Sequence, residues 1–147
     1  MKFRMLASDV SSADLPKGAT QWSPSYQSCI EACNTCADAC DYCSIACLQE
    51  DDVKMMAECI RLDLDCAAIC RLAAAYMARE YAGNVCNVCA DICEACGAEC
   101  ARHPQAHCQN CAQACRRCAE ECRLCSAIIR AMGNSVFDAC NRGSTLA

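Results

Sequence analysis

Between residues 29 and 47 the chain reads CIEACNTCADACDYCSIAC, and its six cysteines fall at successive gaps of 4, 3, 4, 3 and 4. They are Cys29, Cys33, Cys36, Cys40, Cys43 and Cys47. The same alternation returns in Cys86, Cys89, Cys93, Cys96 and Cys100, and again in Cys108, Cys111, Cys115, Cys118, Cys122 and Cys125. A sparser stretch between them holds Cys59, Cys66 and Cys70, with Asp63 in a slot where a further thiol is expected. Gaps of 3 and 4 describe one face of a helix, the seam that leucine and isoleucine normally occupy. Thiols in that frame are either small hydrophobes or ligands. Alanine would pack as well without the hazard of oxidation, so twenty in-frame thiols point to ligation.

Disulfides are the first alternative. Side chains three or four apart on a helix have Cβ atoms about 5–6 Å apart, whereas a disulfide needs about 3.5–4.5 Å. Unstrained bridges within one helix are therefore disfavoured, while bridges between helices stay open. The same separation suits two thiolates joined through one metal ion.

Charge then selects the metal. Five four-thiolate zinc sites, each carrying about -2, would bury roughly ten negative charges in one narrow core. Four-cysteine iron–sulfur cubanes share that difficulty and also need more room. Cu(I) is soft and monovalent, and one ion per thiolate leaves the core neutral.

Such a seam requires helices to carry it. Ser23 and Pro24 read as N-cap and first position of a helix running to about Gln49. The segment Gln49-Glu50-Asp51-Asp52 makes a polar connection, and Asp51 or Asp52 can cap a second helix reaching about Tyr81. Gly83 and Asn84 are a natural stop and restart. A third helix follows to about Ala101, Arg102-His103-Pro104 breaks it, and Pro104 opens a fourth. That helix ends near Gly133–Asn134 or continues to Cys140. No β-branched alternation occurs. The fold class expected is all-α, an antiparallel up-down-up-down four-helix bundle with a Cys-lined core. Residues 23–141 would form the bundle, 1–22 a loose arm or short helix, and 142–147 a tail. Cys140 lies outside the dense array and is not expected to be a core ligand.

Composition agrees with a core of this kind. The chain has 147 residues, one domain's worth, and is 55% hydrophobic, but 21 of those residues are Cys and only two are Phe and one Trp. Aliphatic bulk alone would leave this core under-filled. Net charge is -5 with both signs interspersed and no basic block, which gives nucleic-acid binding no support. No run approaches the ~18 apolar residues of a membrane span. The first twenty residues, MKFRMLASDVSSADLPKGAT, lack an apolar leader core and a twin-arginine pair, so a cytoplasmic location is expected. In a reducing compartment such cysteine abundance points to metal rather than to a disulfide scaffold.

The motifs CIEACNTCADAC, CIRLDLDCAAIC and HCQNCAQACRRCAEEC resemble those of the bacterial four-helix-bundle copper storage proteins, particularly the cytosolic branch without an export signal. The likeness covers about residues 25 to 125. It implies many Cu(I) ions held in the core, roughly one per cysteine, and a homotetramer. The longer N-terminal arm and the tail after Cys125 depart from the family, and nothing is carried over to them.

Antiparallel topology separates two ends. Asp51, Asp52, Met55, Met56, His103 and His107 gather at one, a polar mouth with soft ligands. Trp22, Tyr26, Tyr76, Met77, Tyr81, Ile128, Ile129, Met132, Val136 and Phe137 gather at the other, as a hydrophobic plug. His103, three residues after Cys100, extends the third seam, and His107 lies four before Cys111. Either passes copper inward as a neutral imidazole or is simply a solvated side chain near a helix end. Asp63 has three readings: a weak copper ligand, a carboxylate holding a histidine ring, or a residue turned to solvent. Met55 and Met56 are thioether ligands at the mouth or ordinary core.

Rival functions fit less well. An iron–sulfur electron carrier would want a compact CxxCxxCxxxC run followed by Pro, which is absent. A thiol oxidoreductase uses one tuned CxxC at a helix start, whereas seven CxxC pairs are spread through helix interiors here. A chaperone delivering one copper needs two thiols rather than twenty. No nucleophile–base pair is visible, so no enzyme is expected.

Overall fold

The computed structural model describes residues 24–81 and 83–132. It contains α1 (Pro24–Leu48), a short 3-10 turn (Val53–Met56), α2 (Ala57–Ala78), α3 (Val85–Ala101) and α4 (Ala106–Met132), with no strand among the described residues. The arm, Ser23, Trp22, Val136, Phe137, Cys140, the Gly133–Asn134 stop and the tail lie outside the described residues. None of the described helices is long and apolar enough to cross a membrane.

Each helix packs on two neighbours, in the cyclic order α1, α2, α3, α4. Sulfur contacts give the directions. Cys29 meets Cys122 while Cys47 meets Cys108, so α1 and α4 run antiparallel. Cys47 meets Cys59 and Cys36 meets Cys66, which sets α2 against α1. Cys59 meets Cys100 and Cys70 meets Cys89, which sets α3 against α2. This is the up-down-up-down bundle that the seam spacing predicts.

The 3/4 alternation turns one stripe of each helix inward. All twenty described cysteines are buried, at 0–2% exposure, and alanines such as Ala37, Ala73, Ala90 and Ala112 fill the spaces beside them. Side chains this small let the helix axes approach closely. At Gly97 the approach is close: a Cβ there would stand 3.2 Å from the Cys115 Cβ, so α3 rests on α4 with only hydrogen between them. The outward faces carry ion pairs, among them Arg123 with Asp91 and Glu94, and Arg71 with Asp38 and Asp41. Exposed pairs of this sort contribute only about 0–1 kcal/mol each; the core decides the fold.

Three boundaries differ from the sequence expectation. Asp52 does cap, its carboxylate accepting from the Met55 N–H, but what it caps is the 3-10 turn rather than α2 itself. The second helix stops at Ala78 and not near Tyr81. There the Glu80 N–H donates to the Met77 carbonyl and the Tyr81 N–H to the Tyr76 carbonyl, both at 2.9 Å, which is a Schellman termination. Glu80 takes the left-handed position of that motif at φ 60°, where glycine is usual, so composition pointed downstream to Gly83 instead. Pro104 lies two residues ahead of α4, which begins at Ala106, and so sits within the connection rather than opening the helix.

Candidate metal centre

Buried sulfur runs continuously along the bundle axis. Contacts between helices include Cys70–Cys93 and Cys59–Cys100 at 3.5 Å, Cys40–Cys111 and Cys66–Cys93 at 3.6 Å, and Cys36–Cys66 at 3.7 Å. A disulfide would require about 2.05 Å, and all twenty described cysteines are free thiols. Within a helix, the close pairs are four apart: Cys36–Cys40, Cys43–Cys47, Cys66–Cys70, Cys89–Cys93, Cys96–Cys100 and Cys111–Cys115, at 3.8–4.0 Å.

These contacts assemble groups of ligand atoms within 4.8 Å of one another: Cys33, Cys89, Cys118 and Cys122; Cys36, Cys70, Cys93 and Cys118; Cys36, Cys40, Cys66 and Cys115; Cys40, Cys96, Cys111 and Cys115; and Cys43, Cys47, Cys108 and His107. Two features of this set carry chemistry. Cys36, Cys40, Cys115 and Cys118 each belong to two groups, so neighbouring sites share ligands. Separate four-thiolate zinc sites would each need their own four, whereas bridging thiolates with a monovalent soft ion can share. No CxxC pair falls within any one of these five groups, because partners three apart turn towards different neighbours.

At the mouth, His107 points Nδ1 at three sulfurs: Cys108 at 3.4 Å, Cys43 at 3.5 Å and Cys47 at 3.9 Å. Its Nε2 lies 2.8 Å from the Glu50 carboxylate. With the proton on Nε2 and donated to Glu50, Nδ1 keeps its lone pair and faces the thiols. That is the carboxylate–histidine arrangement that orients a metal-ligating ring. His103 is placed differently. Its Nε2 pairs with Glu99 at 3.0 Å, and Arg102 grips the other oxygen of that carboxylate. The sequence left each histidine as a copper relay or a solvated side chain; of the two, only His107 is described against sulfur. Met56 is buried, whereas Met55 is 67% exposed, so adjacent methionines part company.

Asp63 is fully buried, which rules out the solvent-facing reading, and it holds no histidine. Its Oδ1 accepts from the thiols of Cys96, Cys111 and Cys100 at 3.2, 3.3 and 3.4 Å, and Oδ2 from Cys59 at 3.8 Å. Burial, then the neighbouring Cys111 and Cys96, pushes its carboxyl up to about 10. Burial likewise leads in raising Cys47, to about 11, and Cys108. Desolvation disfavours an uncompensated anion, so Asp63, Cys47 and Cys108 keep their protons in the metal-free core.

Three participants escaped the sequence reading. Glu50, which holds His107, was read only as part of the connection, Met77, whose thioether sulfur lies 3.9 Å from the Cys125 thiol, as part of the plug, and Glu99, which holds His103, was not singled out. Glu50 did carry a signal: it follows Cys47 by three and so continues the seam of α1, as His103 continues that of α3.

Comparison with known proteins bears directly on this site. The sequence profile of the family described as copper storage protein matches residues 22–127. Among solved structures, the Cu(I)-bound copper storage protein BsCsp3 is 48% identical with a TM-score of 0.65, over 67% of this chain and 95% of that one. Apo copper storage protein 3 from Bacillus subtilis is also 48% identical, with a TM-score of 0.61 over 66% and 94%. A cytosolic copper storage protein from Streptomyces lividans, in a structure with five coppers, is 42% identical with a TM-score of 0.65, over 67% and 89%. No curated protein matches the sequence.

The buried carboxyl generates a pH prediction for the metal-free protein. Asp63 is protonated in the fold up to about pH 10 but, with an ordinary value of 3.8, ionises on unfolding well below that. Between those limits the unfolded chain binds fewer protons, so this group subtracts stability as pH rises. Asp63→Asn removes the effect: relative to the parent, the reduced metal-free variant should become progressively more stable from about pH 5 to 7. Denaturant melts across that range check it, and parallel pH profiles would mean that Asp63 is ionised in the fold.

Proposed function

The chain belongs to the copper storage protein family, and from that membership we propose that it holds Cu(I) at a capacity close to one ion per core thiol. The observation that carries this reading is the contiguous column of twenty free, buried thiols with shared groups of ligands. Filling it with Cu(I) replaces each S–H proton by a monovalent cation, which leaves the core neutral however many sites are occupied. A one-ion chaperone has no use for so long a column.

The proposed ligands are the twenty cysteines from Cys29 to Cys125 together with His107. Asp63 stands among four of those thiols as a weak oxygen ligand. His103 and Met56, both at the mouth, would act on the way in, with Met55 outermost. Copper enters by this end, where Nδ1 of His107 offers a neutral donor to an ion before any thiol need lose its proton. Residues 23–141 then constitute the storage domain, with 1–22 an arm and 142–147 a tail. The role is storage, not catalysis. A cytoplasmic location is supported by the likeness to a relative described as cytosolic. The family resemblance implies a homotetramer, and apolar side chains left exposed on α1, such as Tyr42, Ile45 and Leu48, are available for contact between copies.

Capacity is the decisive experiment. Anaerobic titration of fully reduced protein against a chromogenic Cu(I) chelator should saturate near the number of core thiols, twenty, with release of about one proton per copper near neutral pH. Saturation at one or two equivalents would overturn the reading.

The mouth has its own test. His107→Ala and Glu50→Ala should both slow the first phase of Cu(I) uptake, by roughly 10-fold or more if Glu50 acts as such second partners usually do, while final capacity falls by no more than about one ion. Stopped-flow mixing with a chelated Cu(I) donor reads both. Unchanged kinetics in His107→Ala would place the way in elsewhere.

A further inference from the structure

Opposite the histidines, the seam of each helix ends in a sulfur. α1 supplies Cys29, α3 supplies Cys86 and α4 supplies Cys125, while α2 supplies a thioether, Met77. All four are buried, Met77 at 0% exposure. Its Sδ lies 3.9 Å from the Cys125 Sγ, with the Cys125 S–H directed at it. Each of the Cys29, Cys86 and Cys125 thiols interacts with the other two. The phenol of Tyr26 is close enough to Cys125 and Cys86 to feel both, and it covers this end.

We propose that Met77 is a copper ligand, its thioether completing with Cys29, Cys86 and Cys125 a mixed thioether–thiolate Cu(I) site that closes the column at the end away from the mouth. This rests on the Cu(I)-storage reading and adds a donor that the thiol pattern does not contain. α2 is the helix poorest in thiols, with three, and its seam runs Met56, Cys59, Asp63, Cys66, Cys70, Ala73, Met77 in unbroken 3/4 steps. Met77 therefore occupies a ligand position by register.

The chemistry suits that position. Thioether sulfur is a soft donor that selects Cu(I). It is also neutral, so it adds a ligand without adding a charge to a layer whose three thiolates are already balanced by three ions. A fourth thiolate at the sealed end would carry an unbalanced charge or demand another copper. As mere packing, methionine there would be a flexible filler that leucine could replace at little cost, and this equivalence makes the two roles separable.

The test uses the full chain labelled with selenomethionine and carrying Met55→Leu and Met56→Leu, which removes selenium from the mouth. Loaded anaerobically with Cu(I) to saturation, it should show copper as a direct neighbour of selenium at the selenium X-ray absorption edge. Adding Met77→Leu should abolish that neighbour while the helical content stays as it was. A protein that loads its full complement of copper with no copper beside selenium, or whose selenium spectrum is indifferent to Met77→Leu, overturns this site and leaves the storage reading standing. Failure of the unsubstituted chain to load copper, read in the titration, would overturn both.

Discussion

A thiolate in a low-dielectric interior persists only beside a cation, and a thiol there keeps its proton. Twenty thiols facing one axis must therefore be either all neutral or matched charge for charge. Monovalent ions achieve the match at every stage of filling, because each arrival exchanges one proton for one positive charge. Divalent ions in separate four-thiolate sites leave a surplus of negative charge that grows with occupancy. The rest of the bundle follows from this constraint. Helices must approach closely enough for sulfurs on different helices to lie 3.5–4.0 Å apart. That separation in turn demands small residues between them, hence alanine beside the thiols and Gly97 where α3 meets Cys115.

The two ends of the column differ in kind. At one, oxygen and nitrogen groups meet the sulfurs: Glu50 fixes the ring of His107, and Asp63 gathers four thiols a few residues further in. At the other, Met77 and the partly buried Tyr26 and Ile129 close over the last thiols. An ion arriving from water needs donors that are available without deprotonation, and neutral imidazole is one. An ion deep in the core needs none of that help, only bridging sulfur. The gradient from mixed donors to sulfur alone gives the store a direction.

Much of this architecture was legible in the residue spacing. Six cysteines at gaps of 4, 3, 4, 3 and 4 leave a helix no other way to bury them, and the short connections leave those helices no arrangement but antiparallel. The burial of the central thiols followed from register alone, whereas Asp63, in a thiol slot, kept three readings that only its burial among four thiols decides. What register could not supply was the pairing of polar groups across helices. Glu50 meets His107 only because the end of α1 lies beside the start of α4, and Glu99 claims His103 because the chain turns back just after Ala101. The end of α2 was misjudged for a local reason: Glu80 adopts a left-handed conformation usually signalled by glycine. Met77 was seen as apolar bulk, since a thioether looks the same from sequence whether it packs or ligates.

If Cu(I), rather than apolar side chains, completes this core, the metal must govern its stability. Calorimetric melting of the same reduced protein, metal-free and saturated with Cu(I) under anaerobic conditions, tests it most directly. Metal that binds the folded array in preference to the unfolded chain must raise the transition by mass action. Tm should shift upward by a large amount that grows with each increment of copper. Coincident transitions for the two forms would contradict it, and would mean that the bundle is complete without its metal.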